Sequence, residues 1–261
     1  RNLAGQIARQ GTEAARLKAK ELMFRAAQNE KAANEFYSDS LRLLAIPAEK
    51  DFVIAQLNLA TLYFMGMGTK KNPAMAAKWY ERAAKLKDPQ AMSRLAILYV
   101  EGNFLEKNLP RAFELYLALA ETGNAAAQNN LAVMYLEGTA VGQDLPKAEE
   151  FFRKSARQDF SEAQKNLGTF LFEGHSQKGI DYVEAVKWFT LSARQGNAGA
   201  QIALSMAYHF GDGVAKKDSP QAYEWLLIAG TDLQAHLRRA TPPDNITALK
   251  KNLELIAQYK R

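Results

Sequence analysis

The stretch AQNNLAVMYLEGTAVGQDLPKAEEFFRKSA, residues 127–156, decides the fold of this chain. Its residues Ala127, Leu131 and Tyr135 are four apart, so they share one side of a helix. Gly138 follows, and glycine tolerates the left-handed conformation in which many helices end. Asp144 then precedes a second apolar segment, and a short carboxylate there is a typical N-cap. The stretch therefore predicts two antiparallel helices joined by a short loop.

The same pattern occurs five times along the chain. The alanines equivalent to Ala127 follow one another at steps of 36, 36, 36 and 37 residues: Ala55, Ala91, Ala127, Ala163 and Ala200. The equivalent N-cap residues are Asn72, Asn108, Asp144, Asp181 and Asp218. A fixed period of this size predicts a stacked array of helical hairpins.

Each second helix carries two adjacent large residues. The pairs are Trp79–Tyr80, Leu115–Tyr116, Phe151–Phe152, Trp188–Phe189 and Trp225–Leu226. A small residue follows five positions after the first member of each pair, as at Ala156 and Ala193. Large residues on one helix that face small residues on the next predict an interlocking core, and this interpretation is favoured over a ligand-binding cage.

Taken together, the pattern A-x-x-x-L-x-x-x-Y-x-x-G, a loop and [DN]-x-x-x-A-x-x-[WF]-[YF] resembles the Sel-one-like repeat family, which is related to the tetratricopeptide repeats. The resemblance covers about residues 51–230. It implies an all-α fold, a right-handed α/α superhelix, or solenoid, of helical hairpins. It further implies that the first helices line a concave face, and that the protein is an adaptor of bacterial origin.

The sequence predicts three regions. Residues 1–50 are interpreted as a degenerate opening repeat or N-terminal cap, with Ala15 and Ala19 marking a first helix and residues 32–46 resembling a second helix. Five repeats follow, at about 51–88, 89–123, 124–159, 160–196 and 197–230. Residues 231–261 are expected to form capping helices, because Ile246, Leu249, Leu253 and Ile256 share one helical face.

Composition excludes several functions. The chain has no cysteine, which rules out thiol catalysis, disulfides and cysteine metal sites. Its net charge is +6, but residues 51–233 hold 19 basic and 20 acidic residues, so the positive charge lies at the two ends. A nucleic-acid-binding surface concentrates positive charge on its working face. We therefore expect no nucleic-acid partner, and the absence of a long uncharged apolar run predicts no transmembrane segment.

Residues that could support catalysis are sparse. The three histidines, His175, His209 and His236, lie in different repeats or in the C-terminal cap, and no two have the spacing of metal ligands on a helix. No Gly-x-Ser-x-Gly elbow is present. The sequence therefore predicts no catalytic residue, no metal site and no cofactor, and a protein that is not an enzyme.

Partner-binding residues are expected on the first helices, two positions before and after each core leucine. These ten residues, here called the first-helix strip, are Leu57, Thr61, Ser93, Ile97, Asn129, Val133, Lys165, Thr169, Ile202 and Met206. Their mixture of apolar and polar side chains is typical of protein interfaces. The alternative is that Ile97, Val133 and Met206 pack against neighbouring first helices.

One loop differs from its counterparts. Phe104 and Leu105 stand where other repeats have glycine, threonine or alanine. Exposed apolar residues on a loop can mark a contact patch. The alternative is that both residues fold under the second helix.

These observations favour a non-enzymatic adaptor that binds another protein through the concave face and the repeat loops. The family resemblance also suggests a narrower alternative, an envelope immunity protein that neutralises a secreted lipase-type toxin; a hydrolase is a remote alternative. The chain begins at Arg1 rather than methionine, which fits removal of a signal peptide and equally a cloning choice. The sequence does not determine the compartment, and a periplasmic or secreted location is only slightly favoured over a cytoplasmic one.

Overall fold

The computed structural model describes residues 30–239, with side chains described for residues 33–231. Within that range all regular structure is α-helical, in eleven helices numbered here α1 to α11. They are α1 Glu30–Glu49, α2 Val53–Met65, α3 Pro73–Lys85, α4 Pro89–Glu101, α5 Leu109–Glu121, α6 Ala125–Glu137, α7 Leu145–Ala156, α8 Ser161–Phe172, α9 Tyr182–Arg194, α10 Ala198–Phe210 and α11 Ser219–Arg239. The predicted all-α solenoid of helical hairpins is confirmed.

The chain divides into two compact units, Arg1–Leu115 and Tyr116–Arg261. In the first unit α2 packs against α1 and α3, and α3 packs against α4. In the second unit each helix from α6 to α11 packs against the next along the chain, and α6 also touches α8. The first helices of the repeats are α2, α4, α6, α8 and α10, and the second helices are α3, α5, α7, α9 and α11.

The helix boundaries predicted from Gly138 and from the five N-cap residues are confirmed. Gly138 ends α6 with φ +67°, a left-handed conformation, and its N–H donates to the carbonyl of Met134. At the start of α7 the Asp144 carboxylate accepts a hydrogen bond from the N–H of Lys147 at 3.0 Å. The same cap occurs in all five repeats, on Asn72, Asn108, Asp144, Asp181 and Asp218.

The core is built from the predicted small and large residues, with one correction. The alanine and leucine ladders are buried throughout, as at Ala163 and Leu167, both 0% exposed. In the aromatic pairs the second member fills the core: Phe189 is 3% exposed, whereas Trp188 is half-buried and its indole N–H donates to Glu184. Trp188 therefore lies at the edge of the core, because its partner in the pair already occupies the space between helices.

Buried glutamines, which the sequence interpretation missed, tie four of the five first helices to the helix before them. Their side-chain amides donate to a main-chain carbonyl eight residues upstream, over 3.0–3.2 Å: Gln56 to Ala48, Gln128 to Ala120, Gln164 to Ala156 and Gln201 to Ala193. Each of these carbonyls also accepts a main-chain N–H three residues further on, as Ala120 does from Gly123 at 3.0 Å, so the glutamine adds a second hydrogen bond to the same oxygen. The second repeat has Met92 at this position.

The helix predicted over residues 32–46 is confirmed as part of α1. Ala48 of α1 joins Ala55 and Leu59 of α2 in one buried cluster. The first helix suggested by Ala15 and Ala19 lies outside the described residues. So does the amphipathic helix suggested over residues 245–259. No described helix is both long enough and apolar enough to cross a membrane.

Candidate protein-binding surface

In the first unit, the strip residues are partly accessible. Thr61 is exposed, and Leu57, Ser93 and Ile97 are half-buried. The Thr61 hydroxyl donates to the carbonyl of Leu57 one turn earlier, at 2.9 Å, which leaves its methyl group on the surface. These residues lie on α2 and α4, as the helical spacing predicted.

In the second unit, the predicted positions differ in exposure. Met206 of α10 is 43% exposed, whereas Val133, Lys165 and Thr169 are half-buried. Ile202, predicted to be exposed on the strip, packs instead against the buried Leu226 and Ala229 of α11, a second helix. The strip in this unit therefore offers one large exposed apolar side chain among partly covered ones.

Asn129 was expected to be exposed, and that expectation is wrong. It is 4% exposed, because its side chain is held between two other asparagines. Asn166 of α8 donates to Asn129 Oδ1 at 2.9 Å, and Asn129 Nδ2 lies 3.4 Å from Asn130 Oδ1. Sequence reasoning placed Asn129 by its distance from Leu131 alone, and it missed Asn130 and Asn166. The signal was present, since Asn58, Asn130 and Asn166 occupy one repeat position.

The Phe104 loop packs against the last turn of α2 and the loop that follows it. The Phe104 and Phe64 rings meet edge to face with centroids 5.7 Å apart, and the Lys71 ammonium lies 4.8 Å from the Phe104 centroid. Phe104 still remains 37% exposed, and Leu105 is half-buried. Phe104 thus contacts the end of α2 and the following loop, and it remains partly exposed.

Charges beside the strip in the second unit are paired. Lys165 Nζ lies 2.7 Å from Glu162 Oε1, and the Asn197 side-chain amide donates to Glu162 Oε2 at 3.0 Å. Asn197 also caps α10 through its side-chain oxygen. These contacts join the beginning of α8 to the beginning of α10, and they leave the strip there without a net charge.

An ion pair joins two second helices of the second unit, α7 and α9. Arg153 of α7 donates to both carboxylate oxygens of Glu184 on α9, at 2.5 and 3.0 Å. These hydrogen bonds, aided by the Trp188 indole, hold the pKa of the Glu184 carboxyl at about 2, below its usual range. The same contacts raise the pKa of Arg153. Beside this pair lies an open depression of about 590 Å³, lined by Val183, Lys187 and Leu191 among others.

Residues that could hold a metal ion do not converge in the described part of the chain, where no group of three or more histidine or acidic side chains occurs. His175 lies 3.1 Å from Glu173 on an exposed turn, and its ring packs on Phe170. His209 lies on α10, in another repeat, beside Phe210.

The fold and this surface define a class, the α-helical repeat proteins, whose stacked hairpins present side chains along their first helices. The Sel1 repeat matches the sequence at residues 53–88, 89–124, 125–160, 161–197 and 198–231. The chain therefore belongs to the Sel1 repeat family, as the sequence pattern predicted. Sel1 repeats are protein-binding modules, and the family is in general a non-enzymatic scaffold.

Solved structures share the fold. A Sel1 repeat protein from Oxalobacter formigenes is 26% identical, with a TM-score of 0.67 over 83% of this chain and 84% of that one. The protective antigen c5321 of uropathogenic Escherichia coli, which displays an SLR fold, is 22% identical, with a TM-score of 0.53 over 92% and 67%. The immunity protein Pa5087 from Pseudomonas aeruginosa is 18% identical, with a TM-score of 0.48 over 79% and 80%, a similarity too low to support an inference. No curated protein matches the chain in sequence.

Proposed function

We propose that this protein is an adaptor that binds a partner protein through the first-helix strip and through the loop at Phe104. Membership of a family of protein-binding repeats supports the class of function. We choose this surface because the apolar side chain of Met206 is exposed on α10, a helix whose opposite side is buried. Partly exposed apolar residues next to polar ones are typical of the contact area in protein complexes.

Two residues with the same exposure allow the surface to be tested. Met206 on the first-helix strip and Leu191 on the second helix α9 are both 43% exposed. Partners would be captured from the source organism with the whole chain, identified by mass spectrometry, and their dissociation constants measured. Met206→Asp is expected to weaken binding about tenfold or more, because burying an unpaired carboxylate is unfavourable. Leu191→Asp is the matched control, and it should leave the affinity unchanged.

If Leu191→Asp weakens binding and Met206→Asp does not, the partner binds the second helices, and the proposed surface is contradicted. Equal binding by both variants would contradict it as well. Circular dichroism melting curves establish that both variants remain folded, which is expected because both side chains are partly in solvent. The loop is tested separately by Phe104→Asp, expected to weaken binding. Loss of the packing on Phe64 can also lower stability, so the melting temperature of that variant is measured in parallel.

A narrower role, an envelope immunity protein that neutralises a secreted lipase-type toxin, rests on the family resemblance alone. The neighbouring gene discriminates it from a general adaptor, since a lipase-type effector encoded next to this chain favours the immunity role. Equimolar addition of the chain to that purified effector would then suppress its lipase activity. Unchanged lipase activity would contradict the immunity role. Ester hydrolysis by the pure chain, lost in His209→Ala, would instead contradict the non-enzymatic proposal.

A further inference from the structure

The side of α9 opposite its buried residues carries large apolar side chains in contact with solvent. Val183 is 56% exposed and Leu191 is 43% exposed, whereas α3, α5 and α7 have no exposed large apolar side chain. The position of Leu191 holds Arg82, Ala118 and Lys154 in the first three repeats. Six residues line an open depression on this side of α9, here called the α9 face: Asp181, Val183, Glu184, Lys187, Trp188 and Leu191.

The charges of the α9 face are separated by sign along the helix. Asp181 is the N-cap of α9 and Glu184 lies in its first turn, whereas Lys187 lies one turn nearer the C-terminal end. Glu184 already accepts from Arg153 and from the Trp188 indole, yet its side chain remains 32% exposed. Lys187 is exposed, and among residues 33–231 it has no ion-pair partner. The face therefore offers a free cation and a carboxylate that is still accessible.

A second copy of the α9 face complements the first when the two helices lie antiparallel. In a parallel two-fold pair Lys187 would face Lys187, and like charges oppose association. In an antiparallel pair centred midway between Glu184 and Lys187, each Glu184 lies level with Lys187 of the other copy. The same register sets Leu191 level with Ile180, an apolar residue that is 56% exposed. A partner with charges of one sign would leave either the carboxylates or the lysine unmatched.

We propose that two copies of the chain associate through the α9 face, as an antiparallel pair of helices related by a two-fold axis. A two-fold interface requires a patch that is complementary to itself, and the pairing of Glu184 with Lys187 meets this requirement twice. One helix from each copy buries less than the roughly 1,200–2,000 Å² of a stable interface. The dimer is therefore weak and reversible, with a dissociation constant of about 10 μM to 1 mM. The α9 face lies on a second helix, so association does not use the first-helix strip.

Sedimentation equilibrium of the whole chain tests the association. The average mass is expected to rise from 29.0 kDa towards twice that value as the concentration passes through this range. Lys187→Glu should raise the dissociation constant about tenfold or more, because it places a carboxylate opposite Glu184 of the other copy. Lys78→Glu is the matched control: Lys78 is exposed at the same repeat position on α3, and its replacement should leave the dissociation constant unchanged. Circular dichroism confirms that both variants are folded.

Cross-linking tests the antiparallel register. The chain has no cysteine, so a single introduced thiol is the only site for a short bismaleimide reagent. Ile180→Cys and Leu191→Cys are prepared separately, and one of them carries an affinity tag so that mixed dimers are recognised by mass. The mixture is expected to form cross-linked dimers that contain one copy of each variant, whereas neither variant alone should cross-link. A parallel pair of helices would give the opposite pattern.

A mass that stays at 29.0 kDa up to about 1 mM would overturn the inference. So would equal effects of Lys187→Glu and Lys78→Glu, or cross-linking of each cysteine variant with itself. Leu191→Asp is also expected to prevent association. Its effect on partner binding is measured well below the dissociation constant of the dimer, where the chain is monomeric. Failure of the dimer and failure of the first-helix strip are therefore separate results.

Discussion

Gly168 on α8 has no Cβ atom, and this absence lets the Phe189 ring of α9 pack close to the α8 main chain. It is buried, and a Cβ built on it would lie 2.6 Å from two carbons of the Phe189 ring and 3.2 Å from the Ala185 carbonyl oxygen. The equivalent position holds Ala60, Ala96 and Ala132 in earlier repeats. In the fourth repeat, therefore, the phenylalanine on α9 occupies space that a methyl group fills elsewhere.

We predict that Gly168→Ala destabilises the protein by about 1–3 kcal/mol, the usual cost of overpacking a core. Helix propensity alone predicts the opposite effect, because alanine is favoured over glycine in a helix by about 1 kcal/mol. Urea denaturation followed by circular dichroism measures the change in unfolding free energy. Gly199→Ala on α10 is the control, since that residue is exposed and its nearest neighbour is the flexible side chain of Asn197 at 3.3 Å. Equal effects of the two substitutions would contradict the clash with Phe189.

Between elements, the glutamine hydrogen bonds continue into a second layer. Gln158 donates to Gln128 Oε1 at 2.7 Å, and Gln195 donates to Gln164 Oε1 at 2.8 Å. In the first repeat the residue equivalent to Gln158 is Leu86, and the buried Gln56 Oε1 has no hydrogen-bond partner among the described residues. A buried acceptor without a donor lowers stability. The first repeat therefore lacks the hydrogen bond that Gln158 and Gln195 make in the third and fourth repeats.

Leu86→Gln is expected to raise the free energy of unfolding by about 1 kcal/mol, because it supplies the missing donor to Gln56. Leu86 is 46% exposed, so its removal sacrifices little apolar burial. The reciprocal change, Gln158→Leu, should lower the free energy of unfolding by a similar amount by leaving Gln128 Oε1 unpaired. Both are measured by urea denaturation. A destabilising effect of Leu86→Gln would show that the two repeats are not equivalent at this position.

The ion pair between α7 and α9 gives stability a pH dependence. Glu184 has a folded-state pKa of about 2, below its ordinary value of 4.5, and its side chain is 32% exposed. A lowered pKa contributes stability above the unfolded value, and that contribution is lost as pH falls from 4.5 towards 2. With allowance for solvent screening we expect about 1–2 kcal/mol. Glu184→Gln should flatten the stability profile across this window.

Denaturation midpoints measured at several pH values check this expectation. Glu150→Gln is the control, since Glu150 pairs with Lys154 on the same helix and both side chains are at least half-exposed. Exposed pairs of this kind contribute little. A wild-type profile as flat as that of Glu184→Gln would contradict a stabilising role for the Arg153–Glu184 pair.

On the scale of the whole molecule, stability in a repeat array comes from each repeat and its contacts with its nearest neighbours. The Gly168→Ala change should therefore lower amide hydrogen-exchange protection in α8 and α9, and to a lesser degree in the adjoining α7 and α10. Protection in α2 and α3 should remain as in the wild type. Hydrogen exchange read by mass spectrometry resolves these segments. Uniform loss of protection from α2 to α11 would show that the whole chain unfolds as one cooperative unit.

How well the sequence alone predicted each feature depends on how far apart along the chain the interacting residues lie. Glycine ends and N-caps such as Asp144 depend on a few adjacent residues, so the period and the helix boundaries were predicted correctly. The burial of Asn129 depends on Asn166 in the next repeat, and the position of Trp188 depends on how Phe189 fills the core. Both are contacts across helices, which spacing along one helix does not determine. The residues of the first-helix strip therefore lie on the first helices, as their spacing predicted, but the exposure of the individual residues was not predicted.

The bond from each buried glutamine to the preceding helix has a consequence for how such a chain can grow. Its acceptor is a main-chain carbonyl, which every amino acid supplies. A duplicated copy could therefore be inserted after almost any other without a matching change in the residue it meets. Ancestral lengthening or shortening of the array, and deliberate recombination of its copies in the laboratory, would be tolerated best at junctions that carry this glutamine and least at the junction formed by Met92.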